Sequence, residues 1–592
     1  RWSGSPPCSR SHFAKNTGRF RDDFSSDVAE NQYQSPKSRS TGSACGKNFL
    51  GGLILAKGVA PFDGAVDHRG EALPVLSKSS ANMQMEKLLN TPMPSFDKKT
   101  PGSPFWTKLA FFFCRRTAAN QFRTIEYSGM EHIPRDRGSL CASWHTNGLI
   151  DPLGIMLAHP KEFVMGGRHD LVTRPILSFW TRRLAVQPVV RKAELLRGGC
   201  SEEEATNLNG RSLLTLATGI SSGFGCVLFP EGTSHDLAHM IRFRTGPMRT
   251  VLAAAAIAKG AGKKCPVLQP VGLHFRVRHH YRTDMWVEFA EPFHLPEDEI
   301  PEDLIAAVQK REWVEPPGDL VRSLRDGLRP HLLPITPNAS SWDEHGAYHV
   351  IAQVEARMKK KRLNTWRSEV LAARSVRDRY QTEQAVNDSK PPEVNDPVVV
   401  RAKTIHRQLS ERGLDGRDLD SSGLKLRTGN PIQILGFCVK TALMAALLPV
   451  FILSLSPQLI LGRFLGDRTD EGVDARTTYQ FLAAMFGSVI LWPFFALIGV
   501  GLIYWNATNL TTIFLVDFEG FIETGSVLAL LAIYVLMFPL FWCSGRMFGL
   551  WWDSYVDMRK GFKRITASKQ YRQNLEFELQ ALINKLHSTL ER

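Results

Sequence analysis

Three long apolar runs near the C-terminal end, at 432–461, 481–505 and 527–542, limit what this chain can become. The second and third have the length and near-absence of charge of transmembrane helices. The first is broken by Pro449 and by Ser-Leu-Ser-Pro at 454–457, and it carries Lys440. It reads either as one kinked span or as a hairpin that returns to the same side. Flanking charge favours the hairpin. The residues ahead of 432 and those after Gly545 (Arg546, Arg559, Lys560, Lys563, Arg564) are basic, whereas 517–523 is acidic. Basic flanks prefer the cytosolic face, so two basic ends imply an even number of crossings.

The mean hydropathy of −0.16 conceals these runs, because the rest of the chain is polar. The 592 residues are enough for two or three structural units. A net charge of +15 points to nucleic acid, anionic lipid or phosphorylated substrates. Zinc-finger spacing, RNA-binding aromatic signatures and basic-zipper patterns are absent, which argues against nucleic acid. An anionic membrane surface together with a phosphorylated substrate accounts for the charge better. The nine cysteines are isolated from one another, with no Cys-x-x-Cys pair and no metal-like Cys/His spacing. That pattern suits a reducing cytosolic face and argues against a disulfide scaffold.

Residues 1–100 are rich in Ser, Gly, Arg, Asn and Pro, with one apolar patch at 49–56, and read as mostly disordered. A targeting segment and a truncated or mis-started reading frame are the alternative readings. A domain is expected over 104–296. It opens on an aromatic stretch ending in Arg115-Arg116, read as a buried helix lying against the membrane. Strands are expected at 123–128, 139–144, 185–190, 226–230, 266–275 and 285–290, and helices at 201–221 and 248–259. Strands and helices taking turns imply an α/β domain with a mixed sheet flanked by helices. Residues 297–430 read as a polar helical insertion and linker, in which 355–379 is taken for a solvated helix face. A membrane region follows at 431–545. The tail, 546–592, carries an amphipathic helix with Leu575, Leu579, Leu582, Ile583, Leu586 and Leu590 on one face, whose role is packing.

The chemistry concentrates in two blocks, Ala-Ser-Trp-His-Thr-Asn-Gly-Leu-Ile-Asp-Pro at 142–152 and Leu-Phe-Pro-Glu-Gly-Thr-Ser-His-Asp at 228–236. Each follows a strand-like run, so its polar groups lie at strand ends, where open α/β sheets build their sites. In the first, His145 is a candidate general base and Asp151 the carboxylate that orients it. With a substrate supplying the hydroxyl, no protein nucleophile is required. In the second, Gly232 permits close backbone approach, Thr233 and backbone amides suit a phosphate, and Glu231 suits a substrate hydroxyl.

Taken together these blocks resemble the glycerolipid acyltransferase superfamily, whose members carry a His-and-Asp block, a later Arg, a Phe-Pro-Glu-Gly block and a final apolar-Pro block. All four occur here in order: His145 with Asp151, Arg191 in Pro-Val-Val-Arg-Lys, Phe229 to Ser234, and Pro270 in Pro-Val-Leu-Gln-Pro-Val-Gly-Leu. The resemblance covers about 122–296. It implies His145 as general base, Asp151 as its orienting partner, and Arg191, Phe229, Glu231, Gly232 and Thr233 at the glycerol phosphate, with Pro270 shaping the acyl site. It implies acyl-CoA as donor substrate, glycerol 3-phosphate or dihydroxyacetone phosphate as acceptor, no cofactor and no metal. The sequence is most similar to the fungal-type glycerol-3-phosphate/dihydroxyacetone-phosphate branch, which has a comparable insertion and C-terminal membrane region. An endoplasmic reticulum membrane with a cytosolic catalytic domain follows, with a plastid or other organelle membrane as the alternative. A 1-acylglycerol-3-phosphate acyltransferase shares the same blocks, and a membrane scaffold with a decayed domain is the non-catalytic alternative. One spacing departs from the commonest pattern. Five residues, not four, separate His145 from Asp151, which on a helix would turn the carboxylate by about 100°; Gly148 offers a non-helical way to absorb this.

Overall fold

The computed structural model describes residues 84–191, 200–381, 390–429, 431–467, 473–506 and 526–590. The expectations for 1–83, for the acidic stretch 517–523 and for 382–389 of the insertion and linker fall outside them.

All six expected strands form, and a short seventh joins them: β1 Phe122–Ser128, β2 Ser139–Ala142, β3 Gly166–Arg168, β4 Gln187–Val189, β5 Gly225–Val227, β6 Val267–Phe275 and β7 Thr283–Phe289. The unforeseen β3 is Gly-Gly-Arg, which has no apolar alternation to betray it. Five strands make one sheet in the order β1-β7-β6-β2-β5, and β3 pairs with β4 in a separate ribbon. Only β6 and β7 are antiparallel within the larger sheet; β1–β7, β2–β6 and β2–β5 are parallel. Every residue of β2 is buried, as a parallel strand covered by helices on both faces requires.

The flanking helices follow from local chemistry. Glu202–Ser221 starts at a capping box, where Ser201 Oγ accepts from Glu204 N (3.1 Å) and the Glu204 carboxylate accepts from Ser201 N (2.8 Å). Gly246–Gly260 has Pro247 in its first turn and a run of buried alanines, Ala253 to Ala256, small enough to bring the helix close to its neighbours. Leu140, Cys226, Leu268 and Val271 of the sheet pack with Leu216, Ile220, Val251 and Leu252 of these helices and with Ile155 of the helix Ile150–Ala158. The same core takes in Leu324, Leu328 and Leu332 of the helix Gly318–Leu332, beyond Pro296, and Phe481 of the second long apolar helix.

A second core joins the helices Trp342–Met358, Trp366–Tyr380 and Pro397–Glu411 to the tail helix Lys569–Leu590, through Leu575, Leu579, Leu582, Ile583 and Leu586. The expected solvated face at 355–379 is present only in part: Lys359, Lys360, Lys361, Arg362 and Arg367 are exposed, but other charges of the stretch are not. Glu369, Arg377 and Glu355 are buried. Arg276 grips Glu369 with two bonds (2.6 and 3.0 Å), Arg374 holds Glu288, and Arg379 holds Glu355 (2.7 and 3.0 Å). Arg374 and Arg379 of this stretch are therefore partners of carboxylates on other elements, a pairing that charge density alone does not reveal.

Among the described residues, two helices are long and apolar enough to cross a membrane, Arg476–Trp505 and Val527–Ile565. The latter belongs to one helix, Ser526–Ile565, that continues well past the expected end at 542 because its polar continuation packs on the domain. The first apolar run is broken, with Pro431–Ala446 and Leu448–Ser454 bent by 69°. Its contacts show an excursion and a return. On the way out, Lys440 Nζ donates to Ser554 Oγ (2.6 Å). At the turn, Ser454 O accepts from Trp492 Nε1 (2.8 Å). On the way back, Gly462 lies against Gln480 and Gly466 against Arg476. Both ends of this run thus lie on the side of the sheet domain.

That path predicts sidedness. In sealed vesicles, epitope tags after Arg592 and within the catalytic domain should be cleaved by added protease together, and a tag inserted between 507 and 525 should be protected. A protected C-terminal tag beside a cleavable catalytic domain would mean an odd number of crossings.

Candidate active site

The site is built where β2 stops. Beyond Ala142 the strand direction continues through Trp144, whose Nε1 donates to Leu273 O on β6 (3.1 Å). This sets the backbone of the next residue, His145. Its N–H donates to Glu231 Oε2 (2.6 Å), and its Nδ1 lies 2.9 Å from Asp151 Oδ2. Asp151 sits in the first turn of the helix Ile150–Ala158, where the helix dipole favours an anion. It is fully buried, and the same Oδ2 also accepts from Thr146 N and Asn147 N, both at 2.7 Å. With Nδ1–H given to this carboxylate, Nε2 carries the ring's lone pair. The imidazole stacks on Phe229, with centroids 4.0 Å apart and planes within 11°. Gly148 takes φ +44°, in the left-handed region; this is how the loop absorbs the extra residue and still delivers the carboxylate to the ring.

The second block closes round the first. Glu231 is buried, and it spends its carboxylate on the protein. Oε2 accepts from His145 N, while Oε1 accepts from Ile241 N (2.9 Å) and faces His235 Nε2 (2.9 Å). About four lone-pair positions are available on a carboxylate, and three are taken, so Glu231 acts as a brace for His145. Gly232 has φ +70°, and a Cβ there would meet Arg244 Cγ at 3.1 Å. Arg244 is thereby folded over the turn, its N–H donating to Pro230 O (2.5 Å). Thr233 is exposed beside it. Pro270 on β6 is in register with Ala142, three residues before His145. Arg191 lies two residues beyond β4, half-buried, at the end of the smaller ribbon. The hydrogen-bonded centre thus joins His145, Asp151 and Glu231, with Phe229 stacked on it.

Three contributors escaped the sequence reading. Arg278, nearly buried, donates to Thr146 O and His235 O (2.9 Å each) and pairs with Asp236. Its own carbonyl accepts from Asn147 Nδ2 (3.3 Å) and Thr477 Oγ1 (3.1 Å). Thr478 Oγ1 accepts from Leu149 N (3.0 Å). Two threonines at the start of a membrane helix therefore hold the His145–Leu149 loop. Nothing in the spacing of Thr477, Thr478 and Arg278 signals this, since they lie more than a hundred residues from the loop. The adjacent His279 is lowered to about 4, first by burial and then by the charges of His280, Arg278 and Arg476, so it is neutral at pH 7.

Residues 124–273 match the family model for acyltransferases. This stretch is an acyltransferase-family domain. The chain is similar to Glycerol-3-phosphate O-acyltransferase 2 of Saccharomyces cerevisiae, at 28% identity over 120 residues. The matched segment covers 20% of this chain and 14% of the yeast protein's length. The crystal structure of the 1-acyl-sn-glycerophosphate (LPA) acyltransferase PlsC from Thermotoga maritima shares 18% identity over 38% of this chain and 79% of that one, with a TM-score of 0.23. In this acyltransferase domain, the roles of Glu231 as brace or as substrate ligand make opposite predictions. Glu231→Gln places an amide NH₂ against N–H donors, at a cost of roughly 1–3 kcal/mol. Steady-state kinetics should show kcat falling with KM for the acceptor little changed; a KM effect at constant kcat would make Glu231 a substrate ligand.

Proposed function

We propose that this protein transfers an acyl group from acyl-CoA to glycerol 3-phosphate, and to dihydroxyacetone phosphate as an alternative acceptor, releasing lysophosphatidate or its keto equivalent and coenzyme A. The observation that carries this reading is the His145–Asp151 pair, set beside the Phe229–Gly232 turn inside an acyltransferase-family domain. The acceptor hydroxyl oxygen attacks the thioester carbonyl while His145 Nε2 takes its proton. Asp151 stabilises the imidazolium that forms. The tetrahedral intermediate then collapses, the C–S bond breaks, and the imidazolium returns its proton to the leaving thiolate. The bond formed is the ester, the bond broken the thioester, and the histidine ends neutral.

The choice of a small phosphorylated acceptor is supported by the yeast relative's printed activity, by Arg244 at the turn, and by Arg191 of the motif resemblance. Arg244 lies over Gly232, and Arg191 offers a guanidinium whose fork suits a phosphate in a way an ammonium cannot copy. The helical insertion and C-terminal apolar helices support a reading within the fungal-type branch, and an endoplasmic reticulum membrane with its catalytic side cytosolic is the matching location. The second reading, a 1-acylglycerol-3-phosphate acyltransferase, uses the same chemistry and requires a groove for a second acyl chain.

The acceptor decides between them. With both acceptors offered at equal concentration, kcat/KM should favour glycerol 3-phosphate, and preference for lysophosphatidate would transfer the assignment to the second reading. Arg191→Lys should raise KM for glycerol 3-phosphate far more than for acyl-CoA. An unchanged KM for the acceptor would remove Arg191 from the phosphate site.

A further inference from the structure

Two helices on the sheet domain bring aromatic and basic side chains together at the surface. Pro104–Gln121 exposes Phe105 (65%), Lys108, Phe112 (49%), Arg115 and Arg116. Pro175–Arg183, of sequence Pro-Ile-Leu-Ser-Phe-Trp-Thr-Arg-Arg, contains no buried residue, and Ile176 and Phe179 are 54% and 41% exposed. With Leu177 and Trp180 only half-buried and Ile176 and Phe179 exposed, this helix leaves apolar surface for another phase. The rings interlock. Trp106 meets Phe105 and Phe179 edge-on at 5.2 Å and Trp180 at 5.6 Å, while the Arg183 guanidinium stands 3.6 Å from the Phe179 ring centre.

The patch is continuous with both long apolar helices. Trp180 reaches Phe486 (6.3 Å), Cys114 Sγ reaches Met485 Sδ (3.6 Å), and Arg116 stands over Trp542 (5.2 Å). Phe541 meets Trp492 at 5.7 Å, so Trp542 lies about 9 Å further along the helix pair than Phe486, and these contacts span the first turns of the apolar runs. From Phe486 the helix has twenty residues to Trp505, a rise of about 30 Å. From Val527 to Trp542 the other has sixteen, about 24 Å. A hydrocarbon core is about 30 Å thick, so a bilayer spanned by these segments has its near surface at the aromatic patch. Aromatic rings with arginine and lysine beside them are the composition that settles at that depth.

We propose that Pro175–Arg183, with the Phe105–Phe112 edge of the neighbouring helix, is an anchor seated in the near leaflet. Ile176 and Phe179 enter the upper acyl chains, and Lys108, Arg115 and Arg116 meet anionic headgroups. This rests on the reading of the two long helices as membrane spans. The anchor leads directly through β4 to Arg191, and so holds that part of the site at the surface into which the chain of an acyl-CoA partitions.

The test uses the full chain in nanodiscs. Phe179→Trp adds one reporter at the patch, and Phe494→Trp, 61% exposed along the span, adds a reference within it; subtraction of the wild-type emission isolates each. The Phe179→Trp signal should be shifted to the blue, quenched by phosphatidylcholine brominated high on its acyl chains, and shielded from aqueous acrylamide. Quenching at Phe494→Trp combined with acrylamide access at Phe179→Trp would overturn the anchor and leave the spans standing. Protection of Phe179→Trp from both quenchers would assign the face to a protein contact and overturn it equally. No lipid quenching at either position would defeat anchor and spans together.

Discussion

Asp151 Oδ2 gathers three groups within 2.9 Å: the amides of Thr146 and Asn147 and the ring nitrogen of His145. A buried carboxylate is costly unless it is bonded, and Oδ1 is buried without a partner, so the bonds to Oδ2 carry that burden and dictate the shape of everything near it. The chain must turn back after Asn147 to reach it, which requires the left-handed Gly148, and the helix carrying Asp151 must begin immediately afterwards. The imidazole is then held by its Nδ1 edge, by Glu231 at its backbone, and by Phe229 across its face. Its tautomer and orientation are both consequences of one oxygen's hydrogen bonds.

That arrangement is not closed within the sheet domain. Thr477 and Thr478 hold the loop from the first turns of a membrane helix, and Phe481, four residues after Thr477, fills the same core as Leu140 and Leu268. Arg278 links the two catalytic blocks to one another and passes its carbonyl to Thr477. The His145–Leu149 loop is thereby positioned relative to the long apolar helix. The order of the sequence, with catalytic blocks far upstream of the apolar helices, hides an intimate packing between them.

Legibility in the sequence followed the range of the interactions. Strands such as Val267–Phe275 and the helix Gly246–Gly260 were plain because apolar runs and glycine stops are local signals. The pairing of His145 with Asp151 was readable through motif resemblance, and Gly148 identified the residue that would absorb the altered spacing. The buried pairs Arg276–Glu369 and Arg374–Glu288 were not readable. Guanidinium groups dense along a helix look the same in sequence whether they meet water or carboxylates a hundred residues away. Glu231 was recognised as a site residue, yet its use as a brace depends on where His235 and Ile241 arrive, which only the folded chain determines.

The central claim is that His145 accepts the proton of the acceptor hydroxyl. Membranes containing His145→Ala, matched to wild type for the amount of integrated protein, should be assayed with radiolabelled glycerol 3-phosphate and a long-chain acyl-CoA. Loss of general-base assistance is worth about 10²–10⁴-fold, so the rate of labelled lysophosphatidate formation should fall into that range. A rate close to wild type from a correctly inserted variant would contradict the account.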